Sequence, residues 1–173
     1  REIKRDVYLN RLIAREGNGF IKVITGIRRC GKSYLMNNIF YNHLLSNGIN
    51  ESNIIKFAFD SAEDLMQIDE DIIEISEQNR KVDPKKFMKY IAEKIDNGQK
   101  YYLLLDEVQL LGSFEAVLNG YMRKDNLDIY VTGSNSKFLS SDILTEFEGR
   151  GDEIHILPLS FSEFYSAYDG SKD

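Results

Sequence analysis

The chain has 173 residues, 42% apolar and 29% charged, with a net charge of −6. This balance suits one globular domain with a sizeable core and argues against a surface built as a whole to hold nucleic-acid phosphates. One cysteine, Cys30, and two scattered histidines, His43 and His155, exclude an internal disulfide framework and any multi-cysteine metal site.

No apolar run approaches the length that spans a bilayer, and the charged opening REIKRDVYLNRL does not read as a signal peptide. A cytoplasmic protein without membrane contact is expected. The charge is uneven. SAEDLMQIDEDIIEISEQ is strongly acidic and reads as a solvated helix or loop, while the first fifteen residues and PKKFMKYIAEK carry much of the base.

In chain order, FIKVIT (20–25) is a short β-branched run ending at a glycine, the pattern of a strand. Leu35, Met36, Ile39, Phe40, Leu44 and Leu45 then recur at helical spacing up to SNG (46–48). NIIKFAFD (53–60) is a second strand, followed by helical patterning through the acidic stretch. A helix is predicted from Asp83 as N-cap and Pro84 in its first turn to a stop at Gly98.

YYLLLDE (101–107) is the third strand, and its unbroken apolar run implies burial on both faces. SFEAVLNGYMRK reads as a helix with Ser113 as a possible cap, LDIYVTGS (127–134) as a strand, and SKFLSSDILTEFEG as a helix ended by Gly149. EIHILPLS (153–160) is a fifth strand, and FSEFYSAY opens another helix. Strands alternating with helices predict a parallel α/β sheet with right-handed crossovers and a helical layer on each face.

GIRRCGKS (26–33) lies between a buried strand and a helix. Gly26 and Gly31 allow the backbone to curl with its N–H groups toward phosphate oxygens, and the positive end of the following helix adds to the field. Lys32 can reach the β and γ phosphates, and Ser33 can offer its hydroxyl to Mg²⁺. The expected nucleotide-contacting set is Gly26, Ile27, Arg28, Arg29, Cys30, Gly31, Lys32, Ser33 and Tyr34. Arg28 and Arg29 can add positive potential, although loop arginines are more often solvated or paired. Cys30 fits as a small residue at a tolerant position.

Further along, Asp106 and Glu107 stand at the C-terminal end of an apolar strand, where ligands bind in open α/β sheets. Asp106 suits the Mg²⁺ shell, and Glu107 can orient and deprotonate an attacking water. Thr132, Ser134 and Asn135 end the next strand, within reach of the γ-phosphate or that water, or else as plain turn chemistry. Arg150, after Gly149, fits either a finger toward a neighbouring subunit or a helix-end residue facing its own dipole.

Taken in order, RDVYLNRL, GIRRCGKS, LLLDEVQ, VTGSNS, EGRG and PLSFSEF resemble the AAA+ superfamily of ATPases, in particular a prokaryotic subgroup, over nearly the whole chain. The resemblance implies a three-layer P-loop fold with a five-stranded parallel sheet of order 5-1-4-3-2. It places Lys32 and Ser33 in Walker A, Asp106 and Glu107 in Walker B, Asn135 (or Ser134) as first sensor, and Arg150 as candidate finger. It also implies a base pocket near Tyr8. Residues 1–173 would form the N-terminal ATPase domain of a longer protein, with an uncharacterised or nuclease-like domain following. The loop lacks the prolines common in other AAA+ proteins, Phe114 stands where relatives often carry Trp, and no helical lid or second sensor is visible.

The expected function is Mg²⁺-dependent ATP binding and hydrolysis, with Lys32, Glu107, Asn135 and Arg150 in catalysis, Ser33 and Asp106 at the metal, and self-association through the Arg150 side. The alternative is a nucleotide-gated switch with little turnover that regulates a DNA-associated C-terminal domain. A small-molecule kinase would be expected to show an Arg-rich lid. A GTPase would show an N-K-x-D segment, which SNSKF only imitates.

Overall fold

The computed structural model describes residues 2–26, 31–70 and 80–157, apart from the side chains of residues 2–5 and 141. Five strands, β1 (Ile21–Thr25), β2 (Ile54–Ala58), β3 (Tyr101–Asp106), β4 (Leu127–Thr132) and β5 (Gly151–His155), form one sheet of order β2-β3-β4-β1-β5. All neighbours are parallel. This is the expected order 5-1-4-3-2 read from the opposite edge. Every residue of β1, β3 and β4 is buried, as central strands between two helical layers require.

One layer packs α1 (Glu2–Ala14) and the helical run after the phosphate loop against Ile24, Leu104 and Tyr130. That run is α2 (Lys32–Tyr34), a π-helical Leu35–Phe40 and α3 (Tyr41–Ser46). The other layer sets α5 (Pro84–Lys94) and α6 (Phe114–Met122) against Phe57, Leu103, Leu105 and Val131. A short α4 (Ala62–Leu65) follows β2.

At the N-terminal end of the sheet, Lys22 of β1 is fully buried, and its Nζ lies 2.6 Å from Asp128 Oδ1 of β4. Asp128 Oδ2 accepts from Tyr130 Oη at 2.8 Å and from the Gly17 N–H at 3.0 Å. The α1–β1 loop is thereby fastened to the middle of the sheet.

Several local expectations are corrected. The opening segment, which the sequence assigned to no element, forms a helix through Ala14, with Tyr8 and Leu12 buried by the sheet. Of the acidic stretch, the described part holds only α4, capped by the Ser61 hydroxyl; residues 71–79 lie outside the described residues. Asp83 caps α5 as predicted, accepting from Lys85 N–H at 2.8 Å with Pro84 next to it, but the helix ends at Lys94, short of Gly98. There Asp96 closes its own turn by accepting from the Gly98 N–H at 3.0 Å, so the chain leaves the helix before the glycine.

Ser113 precedes α6 in a left-handed conformation and makes no side-chain cap bond. The predicted helix 136–149 divides into α7 (Ser136–Leu139) and a 3₁₀ segment Ser141–Phe147. Ser140 is extended, and its hydroxyl accepts from the Asp142 N–H at 3.4 Å, a serine competing with helix continuation. β5 begins at Gly151, two residues ahead of the expected start. Residues 158–160 of that expected strand and the expected helix 161–168 lie outside the described residues. Among the described residues, no helix is long and apolar enough to cross a membrane.

Candidate active site

The C-terminal ends of β1, β3 and β4 converge on one polar cluster. β1 leads into Gly26 (φ 144°), and Gly31 (φ 94°) opens α2. Both conformations disfavour side chains, which is why a curled loop needs glycine at these two places. Ile27, Arg28, Arg29 and Cys30, between them, lie outside the described residues.

Lys32 is only 5% exposed, and its Nζ donates to the Gly26 carbonyl at 2.7 Å. Among the described residues no carboxylate pairs with it. A buried ammonium satisfied only by a carbonyl is an electrostatic demand for an anion at the mouth of the loop. The next residue, Ser33, donates its hydroxyl to Asp106 Oδ1 at 2.8 Å. Tyr34 is half-buried and packs against the α1-side core.

Asp106 is the last residue of β3 and is buried. Burial pushes its carboxyl above the usual carboxylate range, against the opposing hydrogen bonds from Thr132 and Ser33 and the charge of Lys32. Thr132, at the end of β4, donates to Asp106 Oδ1 and accepts from the Glu107 N–H at 3.1 Å. Its hydroxyl therefore joins the two acidic residues. Glu107 adopts a left-handed conformation (φ 54°, ψ 48°), and its Oε2 accepts from Ser134 Oγ at 2.7 Å and Gln109 Nε2 at 2.5 Å.

Gly133 makes the turn after β4 possible, because a Cβ there would meet the Phe138 ring at 2.4 Å. With that ring packed on the backbone, Ser134 faces Glu107. The Asn135 side chain instead caps α7, accepting from the Phe138 N–H at 3.3 Å.

The structure thus brings Lys32, Ser33, Asp106, Glu107 and Ser134 together. Arg150 is exposed, and its carbonyl accepts from the Ile21 N–H at 2.9 Å, at the start of β1. The length of β1, roughly 16 Å for five residues, separates it from its own loop. Tyr8 is buried, and its hydroxyl accepts from the Leu157 N–H at 3.2 Å.

Two residues at the site carried no role in the sequence reading. Asp60 lies just beyond β2. Desolvation by the surrounding protein, and then the charge of Asp106, raise its carboxyl above the usual range. Gln109 lies in the 3₁₀ turn Val108–Leu110 that follows Glu107. The available signal was the same for both, a polar side chain just after the C-terminal end of a sheet strand.

Among the described residues no group of three or more His, Cys, Asp or Glu could hold a metal ion by itself. The adjacent Ser33 hydroxyl and Asp106 carboxylate do fit Mg²⁺, which takes one or two protein oxygens and completes its shell with phosphates and water.

This strand order, phosphate loop and Asp-Glu strand end define a P-loop nucleotide-binding fold. The chain belongs to the AAA domain family, whose model matches residues 18–165. It is similar to an uncharacterized protein of Haemophilus influenzae, 37% identical over 166 residues, covering 95% of this chain and 38% of that protein. It is also similar to an uncharacterized protein of Methanocaldococcus jannaschii, 30% identical over 148 residues, covering 83% of this chain and 28% of that protein. The chain therefore spans well under half the length of these relatives. In fold it resembles a chain in the structure of Drosophila ORC bound to AT-rich DNA and Cdc6, with a TM-score of 0.53, 12% identity, and coverage of 90% of this chain and 55% of that one.

Proposed function

We propose that this domain binds ATP with Mg²⁺ and hydrolyses it. The observation that carries the reading is the buried ammonium of Lys32, which meets no carboxylate among the described residues, at a loop bounded by two glycines of positive φ. Lys32 would bridge the β and γ phosphates, with residues 26–34, including Ile27, Arg28, Arg29, Cys30 and Tyr34, forming the loop around them. Ser33 and Asp106 would hold Mg²⁺, which supplies positive charge against the phosphate oxygens.

Glu107 would orient a water and take its proton. Ser134, which touches Glu107, is better placed than Asn135 for the sensor role, since the Asn135 side chain is engaged as a helix cap. Arg150 would serve a neighbouring subunit, because the length of β1 keeps it from its own loop.

A second reading is a nucleotide-gated switch with little turnover, acting on a DNA-associated partner domain. The position of Arg150 at the far end of the sheet favours it for a lone subunit. The two readings part on Glu107→Gln. Hydrolysis predicts parental ATP affinity with turnover reduced by about a hundredfold or more, measured by labelled-ATP titration and phosphate release. A parent protein that binds ATP but releases no phosphate above background leaves the switch.

A further inference from the structure

We propose that Gln109 is a positioning residue for Glu107, its side-chain amide fixing the carboxylate that ATP hydrolysis requires. The inference rests on the reading of Glu107 as the base.

Gln109 is 8% exposed, and its Nε2 lies 2.5 Å from Glu107 Oε2. An ionised carboxylate only accepts hydrogen bonds, so this contact fixes which end of the amide faces it. The other end, Oε1, is then a buried acceptor with no partner among the described residues. A buried orphan acceptor is destabilising. An apolar side chain of the same size would avoid that cost, so the amide's contribution lies in the bond it donates.

The geometry around it is rigid. The turn Val108–Leu110 is tied to the segment before α5 by Val82 N–H to the Leu110 carbonyl at 2.8 Å, Gly112 N–H to the Val82 carbonyl at 2.9 Å, and Lys81 Nζ to the Gln109 carbonyl at 3.0 Å. A Cβ at Gly112 would already stand 3.1 Å from the Val82 carbonyl oxygen. Glu107 itself is in a backbone region that a non-glycine residue occupies only when its surroundings impose it. Gln109 and Ser134 both donate to Oε2, and among the described residues no donor reaches Oε1. That oxygen is left for the proton of a water.

The test uses the full natural chain and a double-mutant cycle. Gln109→Met keeps length and volume and removes both the donor and the orphan acceptor; Gln109→Leu is the second variant. Turnover is expected to fall by about tenfold or more, with the ATP dissociation constant within about twofold of the parent and an undiminished thermal midpoint. In the Glu107→Gln background the same substitution should cause no further fall, because a residue acting only through that carboxylate has nothing left to position.

Parental turnover in a folded Gln109→Met, or an equal further loss in the Glu107→Gln background, overturns the proposal while leaving the base reading intact. Failure of both Gln109 variants to fold makes the role structural and overturns it too. Parental turnover in Glu107→Gln overturns the base reading itself, and the Gln109 inference with it.

Discussion

The two ends of the central sheet each bury a lysine and an aspartate, and they use them differently. At the N-terminal end, Lys22 and Asp128 meet at 2.6 Å, and the remaining oxygen of Asp128 is taken by Tyr130 and the Gly17 amide. Burial lowers the Lys22 ammonium below its usual range, and Asp128 opposes that shift. At the C-terminal end, Lys32 and Asp106 are also buried but do not pair. Among the described residues the ammonium contacts only a carbonyl, and the carboxyl is pushed up by burial with two hydroxyls as partners. A closed pair fastens the fold. Charges buried apart are poised for a ligand, and their separation costs stability that the rest of the domain offsets.

The largest effect is expected of Asp128→Ala. It leaves Lys22 buried without its counter-ion and is expected to cost about 3–5 kcal/mol in urea unfolding. A loss of less than about 1 kcal/mol would mean that the pair behaves like an exposed one.

Lys32→Ala should act in the opposite sense, retaining stability while weakening ATP binding by about 2 kcal/mol or more. Titration of labelled ATP with Mg²⁺ on a variant with a parental melt checks this. Unchanged affinity would remove Lys32 from the phosphate site.

Asp106→Asn is gentler on the fold. The amide oxygen can still accept from Ser33 and Thr132, and the burial penalty on the charge disappears. Its stability should stay within about 1 kcal/mol of the parent, while Mg²⁺-dependent ATP binding is lost. A destabilisation as large as that of Asp128→Ala would erase the distinction between the two ends.

The smallest effect concerns pH. Burial first, and then Glu16, raise the Tyr102 hydroxyl from 10.0 to about 12. A group whose folded-state value is raised contributes fully below its unfolded value and loses that contribution as pH climbs through the folded one. Stability should therefore fall between about pH 10 and 12, and Tyr102→Phe should make that fall shallower in unfolding midpoints taken across the range. An identical slope would place Tyr102 outside the alkaline transition. Tyr130, raised in the same direction by burial and Asp128, continues the loss at still higher pH.

The features legible along the chain were local or periodic. An unbroken apolar run marked β3, shorter β-rich runs marked β1 and β4, and their alternation with helices implied parallel strands, because a sheet covered on both faces buries its central strands. Gly26 and Gly31 marked two backbone positions of positive φ, and Asp83-Pro84 marked a helix start through capping chemistry. The order 5-1-4-3-2 came from family resemblance, not from periodicity.

Features that depend on partners distant along the chain emerged with the folded sheet. α1 was not visible, since its charged sequence has little helical contrast until the sheet buries Tyr8 and Leu12. The Lys22–Asp128 pair joins residues 106 positions apart. That Ser134 meets Glu107 while Asn135 caps α7 turned on where Phe138 packs against Gly133. Arg150 was separated from its own loop by the register of β5 on β1, which sets its carbonyl beside Ile21. Gln109 is two residues from Glu107 in the LLLDEVQ segment, yet its bond to that carboxylate was hidden, because a hydrogen bond between near neighbours is fixed by the turn they occupy and not by their spacing.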